Sequence, residues 1–96
     1  MTRLLVCGGR NYTDYWTVYE VLNGFHKSRP VTFLFEGGAL GADRFARRWA
    51  RDHDVTVGNY KEMGLPDYVI AFPGGDGTAR VVEWAQRVRL PVTMIE

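Results

Sequence analysis

Short apolar runs alternate with amphipathic stretches along the whole chain. Leu4 to Cys7 is apolar at every position, the mark of a strand buried on both faces at the centre of a sheet. Tyr15, Val18, Tyr19, Leu22 and Phe25 then recur at helical spacing, with Thr13 or Asp14 placed to cap the helix and Gly24 and Pro30 bracketing its end. Val31 to Phe35 predicts a second strand, with Phe33 and Phe35 on one face and Thr32 and Leu34 on the other. A second helix is predicted from Ala42 to His53, its stripe of Ala42, Phe45, Ala46, Trp49 and Ala50 lying opposite Arg44, Arg47, Arg48 and Arg51. Val55 to Val57 is a short third strand and Tyr68 to Phe72 a fourth, apolar on both faces. Thr78 is placed to cap a third helix with Ala79, Val82 and Ala85 inward, and Val92 to Ile95 closes the sheet.

This alternation predicts an α/β, Rossmann-like fold, with a parallel sheet of about five strands and three helices. Right-handed crossovers give the strand order 3-2-1-4-5, and the chain forms one domain over residues 1–96. The nine residues from Asn59 to Asp67 can span about 30 Å at roughly 3.3 Å each. They are too few to cover a sheet face as well, so the sheet is expected to be partly uncovered or covered by a second copy.

Three glycine-rich turns sit where strands end: Cys7 to Asn11, Glu36 to Asp43, and Pro73 to Thr78. In an open α/β sheet, ligands bind beyond the strand carboxyl ends where the strand order reverses. The topology therefore predicts that the three turns share one cleft. Their backbone N–H groups suit a phosphate, and hence a nucleotide.

Composition narrows the partners. Twelve basic and eleven acidic side chains leave a net charge of +1, which gives no electrostatic case for duplex nucleic acid or an anionic membrane. No apolar run approaches the roughly 20 residues of a membrane span. The single cysteine, Cys7, fits a reducing, cytoplasmic setting and reads as a core residue. His26 and His53 fall at helix C-termini, and no metal site is expected. Trp16 and Trp84 fall outside their helix stripes and read as interface candidates, with a homodimer as the expected assembly.

The motifs Cys7-Gly-Gly-Arg-Asn-Tyr12, Glu36-Gly-Gly-Ala-Leu-Gly-Ala-Asp43 and Asp67-Tyr-Val-Ile-Ala-Phe-Pro-Gly-Gly-Asp-Gly-Thr78 resemble the SLOG superfamily over nearly the whole chain. That is the Rossmann-like group of the DprA/Smf proteins and the LOG hydrolases. The branch most resembled is the small YspA-type, cpYpsA-related one, common in bacteria and phages. The resemblance implies binding or sensing of a nucleotide or nucleotide derivative, such as an ADP-ribose-like ligand, with no cofactor required. Members of that branch usually carry a longer segment between strands three and four, where only Gly58 to Met63 stands here. LOG hydrolases carry a catalytic glutamate at the position of Val81, so the resemblance does not extend to their chemistry. A phosphoribohydrolase or nucleotide-sugar hydrolase and a minimal oligomer without ligand remain the alternatives, and no catalytic residue is assigned.

The candidate ligand-binding residues are Gly8, Gly9, Arg10, Asn11, Glu36, Gly37, Gly38, Asp43, Pro73, Gly74, Gly75, Gly77 and Thr78. Arg10 can fork onto a phosphate and Asn11 can hydrogen-bond ligand or close its turn. Asp43 would repel a phosphate; it reads as a cap of the second helix or as a partner for a ribose hydroxyl. Glu36 reads as a rim ligand to sugar or base. Gly74, Gly75, Gly77 and Thr78 lead straight into a helix N-terminus.

Overall fold

The computed structural model describes residues 2–36, 41–58 and 64–96. Five parallel strands form one sheet in the order β3-β2-β1-β4-β5. The strands are β1 (Thr2–Cys7), β2 (Val31–Glu36), β3 (Thr56–Gly58), β4 (Tyr68–Ala71) and β5 (Val92–Met94). The helices are α1 (Tyr15–Ser28), α2 (Ala42–Asp52) and α3 (Asp76–Arg87). The Rossmann-like topology expected from the alternation is the one observed. Among the described residues no helix is long and apolar enough to cross a membrane.

β1 is central, with Val6 in register with Glu36 of β2 and Ile70 of β4, and Cys7 level with Ala71. Its apolar side chains divide between the two faces as the pleat requires. Leu4 and Val6 join Leu34, Ile70 and Phe72 on the face where α1 contributes Val18 and Leu22, and α2 contributes Ala42, Ala46, Trp49 and Ala50. Leu5 and Cys7 join Phe35, Val69 and Ala71 on the opposite face, where α3 adds Val82 and Ala85. Leu5 and Phe35 are buried, Phe33 is half-buried and Met94 at the β5 edge is 62% exposed, so this face is covered at its centre and incompletely towards both sides. The Asn59–Asp67 connection falls partly outside the described residues.

Local details correct several expectations. Asp14 caps α1, its Oδ1 accepting from the Thr17 N–H at 3.1 Å and its Oδ2 from the Thr17 hydroxyl at 2.6 Å. Those two bonds hold its carboxyl below the ordinary range, because they stabilise the charged form. Tyr15 and Ala79, expected inward, are exposed. α3 is capped by Gly75 and begins at Asp76, so Thr78 lies inside the first turn and is not the cap. Trp84 is half-buried against the second cluster, whereas Trp16 is 69% exposed and stacks on Tyr15 at 4.8 Å.

Candidate functional site

The chain leaves the sheet in opposite directions after β1 and β4, and the turns that follow these neighbours stay in contact. Phe72 N–H donates to the Cys7 carbonyl at 2.8 Å, and Gly9 N–H donates to the Pro73 carbonyl at 2.9 Å. The pairing of the two strands thus continues past their last residues. The Gly9 carbonyl in turn accepts from Tyr12 N–H at 3.1 Å and from Ala42 N–H at 3.4 Å. One peptide oxygen therefore ties the first turn to itself and to the start of α2.

Side chains would not fit between these turns. A Cβ on Gly8 would stand 2.5 Å from the Ala42 Cβ, and one on Gly9 would stand 3.0 Å from the Gly74 Cα. A Cβ on Gly74 would stand 2.6 Å from the Gly9 nitrogen, and one on Gly41 would stand 2.3 Å from the Gly9 carbonyl oxygen. Gly41 also has φ +76°, in the region that glycine adopts without strain. Gly75 and Gly77 are different. Neither has a neighbour within 4 Å of a built Cβ, and neither has a positive φ.

The turns enclose an open cleft of about 840 Å³ at the carboxyl edge of β1 and β4. Gly8, Gly9, Arg10, Asn11, Asp43, Pro73, Gly74, Gly75, Gly77 and Thr78, all named from the sequence, line it. Glu36 is not among the described residues that line it; its carboxylate meets the Arg47 guanidinium of α2 at 3.4 Å. Gly37 and Gly38 lie outside the described residues. The cleft also contains Tyr12, which the sequence did not mark as a site residue, together with Asp76 and with Val81 at the position of the LOG glutamate.

Its chemistry is uneven. The first hydrogen bond of α3 runs from Ala79 N–H to the Gly75 carbonyl at 3.1 Å. The N–H groups of Asp76, Gly77 and Thr78 therefore have no carbonyl within the helix, as at any helix start. The helix dipole adds partial positive charge there. Arg10 stands exposed at the rim and forms no ion pair among the described residues. Asp43 is only 4% exposed and occupies the second position of α2, because Gly41 holds the N-cap. The cap reading of Asp43 is thereby corrected.

Burial first, and then the Asp43 charge, push the Cys7 thiol from 9.0 up to about 12. A thiol held that firmly protonated is a wall of the cleft and not a nucleophile. Val81, half-buried, occupies the wall where the LOG resemblance would place a glutamate. No group of three or more histidine, cysteine or carboxylate side chains suited to a metal ion occurs among the described residues.

Comparison with known proteins supplies the ancestry of the first two turns. A stretch of 51 residues, 52% of this chain, is 41% identical to the Gene 61 protein of Mycobacterium phage D29. The matched part is 41% of that phage protein, so the chain spans well under half its length. Residues 2–62 match the family model of the YspA, cpYpsA-related SLOG family. The match stops short of the third turn, which is joined to the others by the Gly9 and Gly74 contacts rather than by the family model. On the strength of that match, the chain belongs to the YspA, cpYpsA-related SLOG family.

Proposed function

We propose that the cleft binds the phosphate and sugar of a nucleotide or nucleotide derivative, and that the protein acts by holding or sensing it. The observation that carries this reading is the pair of glycines at the start of α3. Gly77 is the second residue of α3, where glycine has more backbone freedom to lose than alanine. Packing explains neither Gly75 nor Gly77, because the space beside both is open. Both line the cleft, beside the N–H groups that the helix leaves free. A ligand phosphate approaching those N–H groups supplies the missing reason, since a side chain there would stand in its way.

Arg10 and Asp43 fit the same ligand, whereas the Asp76 carboxylate in the first turn of α3 has to turn away from a phosphate held there. Arg10 provides a planar fork of donors for phosphate oxygens. Asp43 disfavours a phosphate beside α2 and accepts hydrogen bonds from ribose hydroxyls, so phosphate and sugar would lie in that order from α3 towards α2. With Val81 in the wall, the reading stops at binding. Calorimetry and thermal melting of the intact chain with ADP, ADP-ribose and NAD test it. A ligand at one hundred times its Kd stabilises by about 2.7 kcal/mol, a rise of several degrees in a domain of this size. A folded protein that shows neither heat nor a shift with any of the three would refute the proposal and favour a scaffold without ligand.

A further inference from the structure

The lining of the cleft contains one aromatic ring among the described residues, that of Tyr12. Its position is set from two directions. Its backbone N–H closes the first turn on the Gly9 carbonyl at 3.1 Å, and its ring lies 5.7 Å from that of the fully buried Phe72, tilted by 42°. The ring packs against the core of the α1 and α2 face and remains only half-buried, so part of it is left to the cleft. Asn11, the exposed residue before it, carries both an amide donor and a carbonyl acceptor.

From this placement we infer that Tyr12 is the specificity residue of the cleft, selecting ligands that carry a nucleobase over the same sugar phosphate without one. The inference rests on the nucleotide reading above and adds the part of the ligand that reading leaves open. A ring anchored at its base by the turn and braced by Phe72 loses little freedom when a second flat ring is laid on it. Stacking of this kind accepts any base, because every base has a π face, while the Asn11 amide is placed to pair with a base edge. Phosphate contacts at α3 would be common to all ligands of the class, and Tyr12 would distinguish among them.

Titration of the wild-type chain, Tyr12→Leu and Tyr12→Phe with ADP and with ribose 5-phosphate tests the assignment. Tyr12→Leu should weaken ADP by about tenfold or more. It should leave ribose 5-phosphate unchanged, and Tyr12→Phe should retain the wild-type affinity for both. If a folded Tyr12→Leu protein loses both ligands equally, or neither, the assignment to Tyr12 is wrong while the nucleotide reading stands. If the wild type binds neither, the nucleotide reading itself fails and this one with it. Should Tyr12→Leu not fold, Tyr12→Trp provides an independent readout. Its added indole emission should be quenched by ADP and not by ribose 5-phosphate, and equal responses to the two would overturn the inference.

Discussion

The glycines in and around the cleft fall into two sets, and they are there for different reasons. Gly8, Gly9, Gly41 and Gly74 are required by the fold, because a Cβ on any of them would stand 3.0 Å or less from a neighbouring turn or helix. Gly75 and Gly77 meet nothing within 4 Å. The first set lets three turns from distant parts of the chain close on each other. The second leaves an opening where a helix N-terminus meets the cleft. A glycine-rich rim is therefore not uniform evidence for a ligand; only its open part argues for one.

The largest break in this comparison is expected at Gly41. Gly41→Ala would force a side chain into φ +76° and to 2.3 Å from the Gly9 oxygen. Strain and overpacking together should cost roughly 3 kcal/mol or more, read as a fall in the denaturant midpoint. Gly74→Ala should cost less, about 1–3 kcal/mol, because part of its clash is with the movable Thr78 hydroxyl. Stability equal to wild type in either variant would show that the turns are not locked together.

Acidity of the thiol tests the closed side by a different route. The folded-state pKa of Cys7 is raised from 9.0 to about 12. Folding therefore favours the protonated form, and the unfolded chain gives up its proton first as pH rises. The contribution to stability is complete below about pH 9 and is lost as pH climbs towards 12. Cys7→Ala should remove this part of the alkaline decline, which matched pH melts of the two proteins would reveal. Identical declines would place Cys7 in a wetter site.

The smallest effect is expected at Glu36. Its ion pair joins a carboxylate that is only 11% exposed to an Arg47 side chain that is 39% exposed, so Glu36→Gln should cost on the order of 1 kcal/mol. It should also leave nucleotide affinity unchanged. A marked loss of affinity would place Glu36 in the site.

The sheet order was legible because the signals for it are local and repeated: apolar strands, helical stripes and turns at strand ends. The convergence of the turns followed from the order alone. What escaped the sequence depended on contacts between distant residues. Glu36 stands at a strand end like a ligand residue, and only the fold shows Arg47 reaching it from the middle of α2. Thr78 has the chemistry of a cap, yet the helix begins earlier on Gly75 because the Gly9 and Gly74 contact sets where the turn ends. Tyr12 belongs to no periodic pattern, so nothing in its spacing marks it as a wall of the cleft. The two sets of glycines are identical as letters and separate only when their surroundings are known.

The central claim is that the opening at Gly75 and Gly77 exists for a ligand, and Gly77→Glu tests it most directly. A glutamate in the first turn suits the helix dipole and raises helix propensity, so it favours the fold while opposing a phosphate. The account predicts a variant that melts at or above the wild-type temperature and gives no heat on titration with ADP, where the wild type does. A variant that binds ADP as tightly as the wild type, or that melts well below it, would contradict the claim.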